Sequence, residues 1–145
     1  MTASVSDVPL SPPSVPGRGL LLFAHGARDP MWARPFEAVA RACRASRGET
    51  QVALAFLEFI APDLIAGGAA LAAAGCREVD VVPLFLGAGG HVRKDIPVLL
   101  ASLQAAHPGV RWRLMPAIGQ DPSVVAAMAA AALAAAASDD EVPVR

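Results

Sequence analysis

Tyrosine is absent from this chain, lysine occurs once (Lys94) and cysteine twice (Cys43 and Cys76). Aromatic residues make up 5% and charged residues 17% of its 145 positions. So few aromatics suit helices packed on strands better than a β-sandwich. The two cysteines form no C-x-x-C pattern and no disulfide framework, which fits a reducing compartment and an expected cytoplasmic location. A formal net charge of −1 gives no broad basic footprint, so neither nucleic acid nor an anionic membrane surface is expected as a partner. The start of the chain lacks the basic residues and apolar block of a signal peptide. The longest apolar stretch, Val124 to Ala137, is 14 residues of mostly alanine, short of the roughly 20 needed to span a bilayer. Also missing are the Gly-Lys-Ser/Thr of a phosphate loop, the G-x-G-x-x-G of a dinucleotide fold and the G-x-S-x-G of an α/β-hydrolase. Nucleotide use and serine hydrolysis therefore have little support.

Hydrophobic residues account for 54% of the chain and alanine alone for 32 positions, so a sizeable core of small aliphatic side chains is available. Residues 1–18 hold four of the 13 prolines and are expected to form a flexible tail. Residues 138–145 form an acidic, polar C-terminal tail, which leaves 19–137 as one domain. Within it, strand-like and helical patterns alternate four times. Apolar runs fall at Gly19 to Ala24, Gln51 to Leu57, Glu78 to Leu86 and Val110 to Met115. Helical patterns follow at Pro30 to Arg47, Pro62 to Ala74 (closed by Gly75), Val92 to Ala106 and from Asp121-Pro122 to Ala137. Asp121 supplies a capping oxygen, and Pro122 lacks only an N–H that a first helical turn cannot use. The pattern predicts an α/β fold: a three-layer sandwich around a four-stranded, mainly parallel sheet with helices on both faces.

Ligands of open α/β sheets bind at the carboxyl ends of the strands. Three polar side chains fall there: His25 after the first strand, Glu58 after the second and His91 after the third. They are spaced by 33 residues each time, the length of one strand-helix unit, so the rhythm predicts that all three reach one edge of the sheet. Two imidazoles and a carboxylate accept divalent transition metals, and imidazole is also the usual proton acceptor near neutral pH. Taken singly, each is as readily a loop or surface residue; the constellation carries more weight than its members. The glycines before His91, including Gly89 and Gly90, suggest a loop shaped around a ligand. Arg28, Arg93 and Lys94 are candidates to hold ligand carboxylates. His107, before Pro108 at a helix end, is read as structural. Cys43 and Cys76 are read as buried, inert thiols, and Trp32 either packs or lines a flat ligand.

The chain resembles the small, single-domain sirohydrochlorin chelatases, the CbiX-like members of the ATP-independent class II chelatases. The matching segments are His25-Gly26, Phe56-Leu57-Glu58 with Pro62, and the run from Pro83 through His91 and Val92 to Pro97, which is the most specific. The resemblance spans about residues 19–137. It implies a chelatase-like fold and insertion of a divalent metal, cobalt or iron, into sirohydrochlorin on the way to cobalamin or sirohaem, with no ATP and no cofactor beyond the substrate metal. It assigns His25, His91 and Glu58 to catalysis and metal capture, and it implies a homodimer with a tetrapyrrole as partner. Leu84, Phe85 and Leu86 are then expected to face the macrocycle, and Arg28, Gly89, Gly90, Arg93 and Lys94 to contact the substrate. A nickel chelatase on the same tetrapyrrole, or a carrier that delivers metal or tetrapyrrole without turnover, would use the same residues. The chain departs from the family pattern at Ala27, where a small hydroxyl side chain usually follows His-Gly.

Overall fold

The computed structural model describes residues 17–46, 48, 50–87 and 89–144, and the backbone but not the side chain of His91. The N-terminal tail expected over 1–18 lies outside the described residues through Pro16, and Arg18 already belongs to the first strand. Four strands and four α-helices alternate: β1 (Arg18–Ala24), α1 (Arg34–Ser46), β2 (Gln51–Phe56), α2 (Leu64–Ala73), β3 (Glu78–Pro83), α3 (Gly90–Ala106), β4 (Arg111–Leu114) and α4 (Pro122–Ala136). Short 3₁₀ turns at Pro30–Ala33 and Ile118–Gln120 lead into α1 and α4. The strands order as β2-β1-β3-β4, and every neighbouring pair is parallel. The expected architecture is therefore present, with all rather than most strand pairs parallel.

Side-chain alternation divides the sheet into two faces. Leu21 and Phe23 of β1, Ala55 of β2 and Val79 and Val81 of β3 point to one face, where Leu64 and Leu71 of α2 and Ile96 and Leu103 of α3 meet them. Each such side chain contributes about 1.5–3 kcal/mol on full burial. The helices approach closely because α2 carries Gly67 and Gly68 where it meets the sheet. A Cβ at Gly68 would stand 2.6 Å from Leu103 Cδ2 and 3.1 Å from the Trp112 ring. Internal glycine costs a helix about 1 kcal/mol relative to alanine, a cost offset here by contact that a larger side chain would prevent.

The opposite face is covered differently. Ala24 and Phe56 pack with Ala33 and Phe36, so α1 seals the β2 side. Over β3 and β4 this face carries Glu78, Asp80, Val82, Arg113 and Met115, all half-buried. Glu78 accepts from Arg113 at 2.9 Å and from Arg18 at 3.2 Å, and Arg113 Nε forms an ion pair with Asp80 Oδ1 at 3.3 Å. These guanidinium bonds hold the Glu78 carboxyl below its ordinary value, and Arg113 is raised in turn, first by its bond to Glu78. Helix α4 does not lie on this face. It packs against the Ile118–Gln120 turn, and every residue from Pro122 to Ala136 is exposed except half-buried Val124. The cap anticipated from sequence is there: Asp121 Oδ1 accepts from the Ser123 N–H at 2.8 Å and its hydroxyl at 2.6 Å, and these bonds lower its carboxyl pKa.

Several expected boundaries shift; helix α1, for one, begins at Arg34 after a 3₁₀ turn rather than at Pro30. Strand β3 ends at Pro83 rather than Leu86, where its pairing with β1 runs out opposite Phe23. Helix α3 begins at Gly90 rather than Val92, which puts His91 in its first turn instead of the preceding loop. Of the cysteines, Cys76 is buried, and burial raises its thiol pKa; Cys43 is only half-buried, a correction to the expectation for both.

Candidate active site

Strand β1 lies between β2 and β3, so the residue that follows it occupies the middle of the carboxyl edge. That residue is His25, half-buried. Its ring lies 4.2 Å, centroid to centroid, from the ring of Phe85, tilted by 31°, and Phe85 rests in turn on Phe23 at 5.6 Å. The main chain of His25 is held as well. Its carbonyl accepts the Trp32 indole N–H at 2.7 Å. Trp32 is placed by the turn that Asp29 caps, with Asp29 Oδ1 accepting from the Met31 N–H at 2.9 Å. A ring against the imidazole and an indole bond to the His25 main chain restrain this residue from two sides, which suits a metal ligand or a base.

The next residue explains the His-Gly pair. A Cβ on Gly26 would overlap the carbonyl group of Glu58, so the loops after β1 and β2 touch through glycine. The Leu57 N–H also donates to the Ala24 carbonyl at 2.8 Å. Glu58 is thereby tied to the His25 loop by backbone packing, with an exposed side chain. A groove of about 520 Å³ runs along residues 57 to 63 and is also lined by Ala66. A second cavity, of about 260 Å³, opens at the carboxyl ends of β3 and β4 beside α3, lined by Phe85, Arg93, Ile96 and Leu114 among others.

The backbone of His91 stands in the first turn of α3, at the same carboxyl edge, after β3. Its side chain lies outside the described residues. Among the described residues no three of His, Cys, Asp and Glu gather closely enough to hold a metal ion, so the three-residue constellation rests on the strand order. Gly87, Gly89 and Gly90 have open space where a Cβ would stand, and none has a positive φ. Arg28, Arg93 and Lys94 are exposed. Two expectations change. Phe85, expected to face a ligand, is 2% exposed and supports His25 from below. Leu84 is half-buried against Ala24 and Phe56, while Leu86 stays exposed. Beyond the end of β3 at Pro83 these neighbours reach different surroundings, although they form one apolar run in the sequence. His107 caps the end of α3, 6.1 Å from the Trp112 ring and away from this edge.

Comparison with known proteins places this arrangement. The CbiX family model matches residues 19–135, nearly the whole described chain. The chain belongs to the CbiX family. It is similar to a sirohydrochlorin ferrochelatase from Bacillus subtilis, 29% identical over 111 residues, covering 77% of this chain and 42% of that one. It is 38% identical over 82 residues to a sirohydrochlorin cobaltochelatase from Saccharolobus islandicus, covering 57% of this chain and 62% of the relative. The chain thus spans about half the length of the curated relatives it matches. Among solved structures, the CbiX protein from Marinobacter aquaeolei VT8 superposes with a TM-score of 0.72 at 34% identity, covering 81% of this chain and 96% of that one. The cobalt complex of the sirohydrochlorin chelatase SirB from Bacillus subtilis subspecies spizizenii gives 0.72 at 27% identity, covering 81% of this chain and half of that one.

Proposed function

We propose that this CbiX-family chain inserts a divalent metal, cobalt or iron, into sirohydrochlorin without ATP. The observation that carries this reading is His25, braced by Phe85 and Trp32 at the middle of the carboxyl edge, in a chain whose family match includes it. Metal insertion displaces two pyrrole protons, so the site needs proton acceptors beside the macrocycle and ligands that hold the metal only in passing. Histidine, with an ordinary pKa of about 6.5, serves both needs near neutrality. Two histidines and one carboxylate leave coordination positions open, as transfer requires. In this reading His25 and His91 capture metal and accept protons, and Glu58 balances its charge. The open space at Gly87, Gly89 and Gly90 leaves room for the ring, and Leu86, Arg28, Arg93 and Lys94 contact its rim.

The working unit in this reading is a homodimer. Helix α4 has no charged residue yet exposes Val125, Met128 and Leu133. The same chain leaves β3 and β4 uncovered on one face, where a cavity of about 460 Å³ lined by Val82, Met115 and Ile118 opens beside the start of α4. A second copy offers the matching surface to both, by two-fold symmetry. Among the described residues no helix is long and apolar enough to cross a membrane; with both cysteines free, the reading places the protein in the cytoplasm.

The test is turnover. Protein at a few per cent of the sirohydrochlorin concentration, mixed with Co²⁺, Fe²⁺ or Ni²⁺ in separate runs, should continue past one equivalent, as followed by absorption. A carrier stops at one equivalent. His25→Ala and His91→Ala should each lower the rate by roughly 10²–10⁴, the range of acid–base roles, and Glu58→Gln should lower it less, while His107→Ala keeps it. Folded His25→Ala and His91→Ala proteins with near-normal rates would refute the site.

A further inference from the structure

Phe59, immediately after Glu58, combines two features that packing does not explain. It is the one non-glycine residue with positive φ (66°) among the described residues. The Ile60 N–H donates across it to the Glu58 carbonyl at 2.8 Å, which makes Phe59 the centre of a three-residue turn of the strained, positive-φ kind. Such a conformation is unfavourable for a bulky side chain and persists where surroundings or function hold it. The ring nevertheless gains little burial, being 60% exposed. The Arg28 guanidinium, from the loop after β1, sits 5.4 Å from the ring centroid. The strained turn therefore presents an aromatic ring to solvent beside Glu58, with a cation from the His25 loop against it.

We propose that Phe59 and Arg28 form one substrate-positioning unit, the ring face taking the flat macrocycle and the guanidinium a peripheral carboxylate. This rests on the tetrapyrrole reading above and adds Phe59 to it. A planar, carboxylate-bearing ligand matches both halves of the pair: offset stacking on an aromatic ring and charge-assisted hydrogen bonds from a guanidinium. Because Glu58 and Phe59 share the turn, docking on the ring also fixes where the carboxylate of Glu58 stands relative to the bound macrocycle.

The experiment compares wild type with Phe59→Gly, Phe59→Trp and Arg28→Gln in three readouts: binding of metal-free sirohydrochlorin by fluorescence titration, KM against kcat for Co²⁺ insertion, and thermal unfolding. Glycine removes both the ring and the penalty of positive φ. Phe59→Gly is thus expected to unfold at the same or a higher temperature while its Kd and KM for the tetrapyrrole rise about tenfold, far more than kcat falls. Phe59→Trp should restore most of the binding, and Arg28→Gln should weaken it, with the Phe59→Gly/Arg28→Gln double variant losing less than the product of the two. Wild-type Kd in Phe59→Gly overturns the proposal, as does weaker binding accompanied by a lower unfolding temperature that Phe59→Trp fails to reverse. Wild-type protein that binds sirohydrochlorin but does not turn over overturns the chelatase reading alone, since the binding comparison still decides the role of Phe59.

Discussion

The two faces of the sheet are built from the same strands yet finished to different degrees. On one, α2 and α3 press against alternating residues of all the strands, and Leu21, Phe23, Val79, Val81 and Leu103 have essentially no exposure. On the other, α1 seals only the β2 side, β3 and β4 present ion pairs and half-buried Val82 and Met115, and α4 stands off with no buried residue. An uncharged, alanine-rich helix left in water costs free energy that a packed one recovers, because apolar area removed from water is worth about 25 cal/mol per Å². The sealed face is what lets one chain fold. In the homodimer reading, the open face is where a second chain would add stability.

The sharpest way to break this comparison is to truncate one side chain on each face. Leu103→Ala should destabilise by about 2–5 kcal/mol, read from urea unfolding, while Met115→Ala should cost under about 1 kcal/mol in dilute protein. Equal losses would show that the second face is sealed too. The carboxyl-edge loops offer a parallel contrast between two glycines. Gly26→Ala forces a Cβ into the Glu58 carbonyl and should cost about 1–3 kcal/mol with loss of metal insertion; Gly89→Ala meets nothing within 4 Å and should leave unfolding nearly unchanged. If both behave alike, the contact between the β1 and β2 loops does not set the site.

A smaller effect on the fold, but a large one on assembly, is expected from ending the chain at Gln120. Sedimentation should show the 145-residue chain as a dimer and the shortened one as a monomer with most of its circular dichroism retained. A shortened chain that still pairs would place the interface elsewhere. The smallest effect concerns the ion pairs of the open face. Glu78 has a depressed pKa in the folded chain, set first by its bond to Arg113. Its contribution is therefore present above the unfolded carboxyl range of about 4.3 and is lost as pH falls through the lower folded value. The gap in unfolding temperature between wild type and Glu78→Gln should be open at pH 6–7 and close in acid. It should also be slight, because the Glu78 side chain is 30% exposed and salt screens such pairs. A gap that widens in acid would contradict the assignment.

Much of this was legible in the residues. The four strand-helix units, the parallel sheet, the Asp121 cap and the placement of His25, Glu58 and the His91 backbone after three successive strands all follow from local patterns and from the even spacing of one unit. Other features were not legible, because they depend on which loops meet. Sequence grouped Leu84, Phe85 and Leu86 as one apolar run, whereas the loop after β3 sets Phe85 under His25, Leu84 against the second apolar cluster and Leu86 into solvent. Phe59 passed unnoticed, since an aromatic after an acid gives no sign of the positive φ that sets it beside Arg28.

The sequence by itself determined the kind of fold and the sheet edge that His25, Glu58 and the His91 backbone share, because hydrophobic periodicity and chain length act locally and repeat with each unit. Only the tertiary structure decided that Gly26 must be glycine, that Trp32 and Phe85 brace His25, and that one face of the sheet is left open over β3 and β4 while α4 stays unpacked. Those facts turn on contacts between segments from about 7 to 60 residues apart in the chain, and such contacts are set by strand order and close packing rather than by any residue's own preference.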